Sequence, residues 1–359
     1  MTFRILALPG DGIGPEVMAA ARRVLNALAL KSGWRFSWRE ELVGGAAIET
    51  EGVPLPDRTL EAALEADAVL LGAVGGPAWD GLPGHLRPER GLLQLRRALG
   101  VFANLRPIRC HRALADRAPL KAELLRDVDI LFVRELTGGL YFGEKGQDGR
   151  GAYDVCRYTE EEVARVVRLA ARLARGRRSR LTLVDKANVL ETSRLWRRVT
   201  ERILAAEFPD VALDVQLVDA AAMRLIKEPR AFDVIVTENL FGDILTDEAS
   251  VLAGSIGLIP SASLGEDGAP GLYEPVHGSA PDIAGRGIAN PLGMIGSLAL
   301  MLEWSAGRPD LARIMDEAVA RALGDGVLPA DLGGEADTAA VTDAVIERLA
   351  GVSQPAPAA

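Results

Sequence analysis

Only five of the 41 basic residues are lysine, and two cysteines stand in 359 residues. Cys110 and Cys156 form neither a CxxC pair nor a zinc-type spacing, so a disulfide framework is excluded and a reducing cytoplasm fits. No run approaches the ~20 apolar residues a membrane helix needs, and even residues 292–302 are short and follow Asn290-Pro291. The opening eight residues are apolar but too few for a signal peptide, and they run straight into Pro9-Gly10-Asp11. Internal repeats are missing, and only the stretch from Ser353 reads as a disordered tail. A net charge of −9 argues against a general nucleic-acid binder, which needs a basic surface to displace counterions. Local arginine clusters still leave anionic small substrates open. The scarcity of lysine matters for one reason: a side chain that must release a proton near neutral pH can be lysine and cannot be arginine.

What is present reads as an ordinary globular chain, 48% hydrophobic and 25% charged, long enough for two domains. Residues 3–8, 67–73, 129–133, 181–184 and 232–236 are apolar runs of buried-strand length. Helical patterns between them, beginning with 15–29, give βα units and a mostly parallel sheet. Between the first strand and helix lies Gly10-Asp11-Gly12-Ile13-Gly14. It lacks the third glycine of the dinucleotide fingerprint, and no acidic residue closes a second strand about 20 residues on. A tight strand-turn-helix is the plainer reading.

Residues 232–254 form the central stretch. Asn239-Leu240-Phe241-Gly242 reads as a turn leading to a helix that starts near Asp243, and Asp243 and Asp247 then share one helix face a turn apart. Like charges so placed repel by about 0.2–0.5 kcal/mol unless something positive sits between them, and a divalent cation would do so. On spacing alone the plainer reading is favoured, with Asp243 interacting with the helix dipole and Asp247 pointing at water. Elsewhere Leu92, Leu93, Leu95 and Leu99 make a helical stripe flanked by Arg96 and Arg106, each on its own a surface arginine. Arg134 ends a strand just before Gly138-Gly139 and Tyr141. Lys186 and Asp219 each stand where an apolar strand ends. The loop from Glu274 to Asn290 is dense in small residues and holds His277 and Asp282, a histidine more often structural than functional when taken alone.

The motifs GDGIGPEV, LLQLRRALGVFANLRP, VRELTGGLYFGE, DKANVLE, VDAAAMRLI, ENLFGDILTDEAS and EPVHGSAPDIAGRGIANP, in that order over nearly the whole chain, resemble the isocitrate/isopropylmalate dehydrogenase family, and its isopropylmalate branch in particular. The resemblance implies an α/β, two-domain fold with a mostly parallel central sheet that is not a true Rossmann fold. One domain, 1–101 plus 254–359, would hold both termini and the cofactor. The other, 102–253, would hold substrate and metal and mediate dimerisation through an arm at about 141–158. The active site would sit between domains and be shared across a homodimer.

Carried over residue by residue, the family pattern makes Tyr141 and Lys186 the catalytic pair and Asp219, Asp243 and Asp247 the ligands of Mg²⁺ or Mn²⁺, all hard oxygens. Arg96, Arg106 and Arg134 would hold the malate carboxylates; beside that pattern, Glu89, Leu92 and Leu93 near Arg96, Asn188 and Val189 near Lys186, and Asp219 are expected to line the substrate. Glu274, His277, Gly278, Ser279, Ala280, Asp282 and Asn290 would hold NAD. Lys186 and Asp219 would come from the partner chain. The implied reaction is oxidative decarboxylation of 3-isopropylmalate in leucine biosynthesis, in the cytoplasm, with no membrane or nucleic-acid partner.

The chemistry explains these residue types. Hydride leaves C2 of a 2-hydroxy acid as its hydroxyl proton is removed, so a base is needed, and the enolate left by loss of CO₂ needs a Lewis acid and then a proton at C3. Rivals within the class act on isocitrate, homoisocitrate, tartrate or D-malate. The apolar Leu92-Leu93 suits a branched alkyl group better than a third carboxylate. A phosphoryl-transfer enzyme would show a GxxxxGK[ST] loop, which is missing. A catalytically dead subunit could lack Lys186, Tyr141 or an aspartate, and all are kept. Glu238 is an extra carboxylate expected near the cofactor or metal, and the loop around His85 has no assignable role.

Overall fold

The structure, a computed structural model, describes residues 2–349, so the tail expected from Ser353 lies outside the described residues. The chain divides into two compact units, one of Met1–Val101, His111–Arg117 and Gly254–Ala359 and one of Phe102–Cys110 and Ala118–Ala253.

In the first unit the strands run in the order Phe36–Glu40, Phe3–Gly10, Ala68–Ala73, Gly271–Pro275 and Pro260–Leu264. All neighbours are parallel except the last pair. Ala68–Ala73 is buried at every position, as a parallel strand covered on both faces must be. Helix Gly14–Ser32 starts with proline in its first turn and stops at Gly33, whose left-handed conformation suits glycine. Leu292–Trp304 is apolar around most of its circumference because it packs on the strands Pro260–Leu264 and Gly271–Pro275 and on helices Gly14–Ser32 and Pro309–Gly324. Among the described residues no helix is long and apolar enough to cross a membrane.

The glycine-rich turn after the first strand is built around Asp11. Its buried carboxylate accepts the backbone N–H groups of Gly45, Ala46 and Gly75, each at 2.8 Å. Gly12 is needed for another reason: its φ is +58°, and a Cβ there would lie 1.9 Å from the Ser279 carbonyl oxygen. That carbonyl accepts the Ile13 N–H at 2.8 Å, so the turn seats the His277–Ser279 loop.

In the second unit the order is Ala103–Arg109, Asp129–Glu135, Val234–Thr237, Arg180–Asp185 and Ala212–Leu217. Here the first pair is antiparallel and the rest parallel. The α/β class with mostly parallel strands is as the apolar runs predict. Helix Glu160–Arg175 opens with a reciprocal capping box between Thr159 and Glu162. The segment expected to be an arm contains an exposed hairpin, Lys145–Gln147 against Ala152–Asp154.

One boundary differs from the sequence reading. The helix expected to start near Asp243 runs Asn239–Ala253, so the supposed turn is its first helical turn. The reason lies in its early N–H groups, which find partners: Asn239 N–H donates to the Tyr158 hydroxyl at 3.1 Å and Phe241 N–H to the Glu238 carboxylate at 3.3 Å. Asp243 thus sits a full turn inside the helix, which weakens the dipole explanation for it. Glu238, suspected of facing cofactor or metal, is buried and serves this helix start.

Candidate active site

Two strands, one short turn and one helix of the second unit bring five of the expected residues together. Arg134, at the end of Asp129–Glu135, donates from Nε and Nη2 to Asn239 Oδ1 at 3.0 and 2.8 Å and from Nη1 to Asp243 Oδ1. Arg106, from Ala103–Arg109, donates to Asn104 Oδ1 at 2.7 Å and Thr246 Oγ1 at 2.6 Å. It also lies 3.4 Å from Asp243 and 3.6 Å from Asp247. Both arginines are buried, so the reading of Arg106 as a surface residue is overturned. Tyr141, in the short turn Gly139–Tyr141, donates its hydroxyl proton to Asp243 Oδ2 at 2.6 Å.

Burial, then the neighbouring Asp243 carboxylate, push the Tyr141 phenol up to about 12, so it holds its proton at neutral pH. Asp247 is raised above the usual carboxylate range by burial, with Arg106 opposing and Asp243 adding to the shift. The cationic neighbours thus resolve in part the repulsion between the two aspartates.

Lys186 and Asp219 pair with each other. Lys186 Nζ lies 2.5 Å from Asp219 Oδ1, and this contact holds the Asp219 carboxyl below its ordinary value. Asn188 and Val189, just beyond, are exposed. Among the described residues no group of three His, Cys, Asp or Glu side chains is arranged to hold a metal. Asp243 and Asp247 supply two hard oxygen donors on one helix face, and a Mg²⁺-type ion is commonly bound through one or two carboxylates with substrate oxygens and water. The donor chemistry therefore fits such an ion without a third ligand from the same chain.

The first unit holds the other expected residues in two groups. Helix Pro88–Leu99 carries Arg96 inward, where Nη2 meets Glu274 Oε1 at 2.5 Å with both side chains buried. Arg96 Nε has no partner among the described residues. Leu95 and Leu99 are core, whereas Leu92 and Leu93 are only half-buried and Glu89 is exposed. The apolar stripe read from the sequence thus splits into a packing half and a half with free surface. Glu274, expected at the cofactor, balances the charge of Arg96, a pairing of residues 178 apart that spacing could not disclose.

In the second group His277 is buried, its Nδ1 lies 2.9 Å from the Gly278 carbonyl oxygen, and its Nε2 has no partner among the described residues. Burial lowers the His277 pKa, so the ring is neutral. A buried ring nitrogen left unmatched fits a loop that completes its hydrogen bonding with a bound group. Gly278 has open space where a Cβ would point, Ala280 takes a positive φ of 39°, and Asp282 is exposed. Ser279 is buried and fixed by its backbone. Asn290 is spent internally, donating to Asp331 Oδ2 at 2.9 Å and accepting the Leu292 N–H at 3.0 Å at the start of Leu292–Trp304. His85 is exposed.

Sequence reasoning passed over Asn104, Asn239 and Thr246, which orient the two arginines. Their signal is weak before folding: polar residues inside otherwise apolar elements, which must find a partner once buried.

The family model for isocitrate/isopropylmalate dehydrogenase matches residues 4–348. The chain is 57% identical to the 3-isopropylmalate dehydrogenase of Anaeromyxobacter dehalogenans, covering 98% of this chain and all of that one. It is 54% identical to that of Halalkalibacterium halodurans, over 97% and 98%. Among solved structures, isocitrate dehydrogenase from Methylococcus capsulatus superposes with a TM-score of 0.87 at 37% identity, over 97% of this chain and 99% of that one. A beta-decarboxylating dehydrogenase from Thermococcus kodakarensis does so with 0.80 at 38%, over 97% and 96%. With buried arginines, a protonated tyrosine and paired aspartates set on this doubled parallel architecture, and with matches running nearly end to end, the chain belongs to the isocitrate/isopropylmalate dehydrogenase family of decarboxylating dehydrogenases.

Proposed function

We propose that the protein is an NAD-dependent, metal-requiring dehydrogenase that converts 3-isopropylmalate to 4-methyl-2-oxopentanoate and CO₂ in the cytoplasm, as a step of leucine biosynthesis. The observation that carries this reading is the convergence of Arg106, Arg134 and Tyr141 on Asp243. Two guanidinium forks suit the carboxylates of a malate. A tyrosine kept neutral by burial suits delivery of a proton to C3. Lys186 would be the proton acceptor for the C2 hydroxyl, the role the family pattern gives this strand-end lysine. A bound Mg²⁺ or Mn²⁺ would be held by Asp243, Asp247 and the partner's Asp219, and would supply Lewis-acid stabilisation of negative charge at the C2 oxygen.

The substrate branch rests on Leu92 and Leu93. They share a helix with Arg96 and keep apolar surface outside the core, where an isopropyl group gains and a third carboxylate would be desolvated without a cation. Higher identity to named 3-isopropylmalate dehydrogenases than to the isocitrate dehydrogenase structure points the same way. NAD rather than NADP is supported by exposed Asp282 after HGSAP, which can accept ribose hydroxyls and repels a 2′-phosphate. His277, Gly278, Ser279 and Ala280 would line the same cofactor's adenosine half.

A homodimer is supported by apolar surface left uncovered on two packed helices: Met223 and Ile226 on Val218–Lys227, and Ile244 and Val251 on Asn239–Ala253. Asp219 and Asp243 lie on those same helices, so a second copy seated there has the means to share a site. Replacing Asp243→Asn tests the reading. It should abolish NADH formation while thermal unfolding shows a folded protein, and a variant still active after chelation would refute the ligand set.

A further inference from the structure

Tyr158 joins three segments of the second unit without being part of the reacting set. Its hydroxyl donates to Glu238 Oε2 at 3.3 Å and accepts the Asn239 N–H at 3.1 Å. Its ring fills the space beside two glycines: a Cβ on Gly138 would lie 2.6 Å from the ring, and one on Gly139 2.3 Å from the hydroxyl. Trp196, from helix Glu191–Glu207, meets the ring edge-on, with centroids 5.5 Å apart and planes at 87°. Gly138-Gly139 therefore owe their lack of side chains to this phenol, and they open the turn that ends in Tyr141. Asn239 extends the link, since its side-chain amide donates to the Gly138 carbonyl at 3.2 Å while its oxygen holds Arg134.

We propose that Tyr158, braced by Glu238, is a positioning residue that fixes the turn bearing Tyr141 against the first turn of the helix bearing Asp243 and Asp247. The Tyr141–Asp243 hydrogen bond at 2.6 Å depends on that registry. Proton delivery needs its donor placed within a fraction of an ångström, and a buried phenol bonded on both sides is stiff enough to do so. The catalytic half of this inference rests on the proposed function; the structural half does not.

Tyr158→Phe keeps the ring and removes one oxygen. Hydrogen exchange across residues 236–244 should then quicken about tenfold at Asn239, which loses its acceptor, while residues 245–253 keep wild-type protection. With 3-isopropylmalate, kcat should fall about tenfold while KM stays within about twofold. Glu238→Gln keeps one of the two acceptor oxygens, which can still take the phenol at the cost of the Phe241 N–H, and should keep clearly more of kcat than Glu238→Leu, which keeps none. Unchanged exchange at Asn239, or equal kcat in the two Glu238 variants, would overturn the positioning role. A loss of kcat that merely follows loss of folded protein would overturn it as well. Wild-type protein inactive on 3-isopropylmalate would count against the proposed substrate, and the exchange measurement would still decide the role of Tyr158. Should Tyr158→Phe fail to fold, the Glu238 pair carries the decision alone.

Discussion

Arg134→Lys is the most revealing single change, because it keeps the charge and removes only the fork. Arg134 is 2% exposed. Its Nε and Nη2 share Asn239 Oδ1, its Nη1 reaches Asp243, and its stem packs so closely on Gly242 that a Cβ there would lie 2.7 Å from Arg134 Cγ. A lysine ammonium reaches one of these points. If it keeps Asp243, the buried Asn239 carbonyl loses both donors, and leaving such a group unmatched costs about 1–3 kcal/mol. The lost bonds were also charge-assisted, so the total should be about 2–4 kcal/mol of stability. Urea unfolding measures it, with the m-value as a check that the unfolded state is unchanged. A loss below about 0.5 kcal/mol would show that the guanidinium does not organise this cluster.

Two further outcomes are expected. His277 is held neutral by burial, so its folded pKa lies below its unfolded value of about 6.5. The unfolded chain then binds the proton first as pH falls, and stability drops below pH 6.5 by up to about 1.4 kcal/mol per unit until the folded ring also titrates. His277→Gln should flatten the drop measured by urea unfolding between pH 7 and 5, and an unchanged slope would contradict the buried neutral ring. If sites are shared across a dimer, mixing inactive Lys186→Met with inactive Asp243→Asn and reassembling them should restore activity. One hybrid site carries both lesions and the other neither. An active monomer in sedimentation would contradict this.

The fold class was readable because its inner parallel strands are largely apolar and its first helix carries a start signal in Pro15, whereas the edge strands Phe36–Glu40 and Ala212–Leu217 are half exposed. The start of helix Asn239–Ala253 was not readable. It depends on Tyr158, whose hydroxyl accepts the Asn239 N–H from 81 residues away. The same holds for Arg96, which looks like a surface residue until Glu274 appears beside it, and for Asp11, whose carboxylate serves three separate N–H groups. Tertiary pairing sets whether a polar side chain is solvated or buried, and local sequence does not record it. Motif order pointed to the chemistry of Tyr141 and Asp243, but not to Asn239 and Thr246, which hold the arginines around them.

The substrate's side group is what separates 3-isopropylmalate from malate and isocitrate. Burying three carbons against Leu92 and Leu93 is worth about 0.8 kcal/mol each, so 3-isopropylmalate should exceed unsubstituted malate in kcat/KM by a factor of about tens. Isocitrate should rank last, since its extra carboxylate meets leucines and the exposed Glu89 instead of a cation. NADH formation with Mg²⁺, followed for the three acids under one set of conditions, measures the order directly. The account predicts 3-isopropylmalate, then malate, then isocitrate; faster turnover of isocitrate than of 3-isopropylmalate would contradict it.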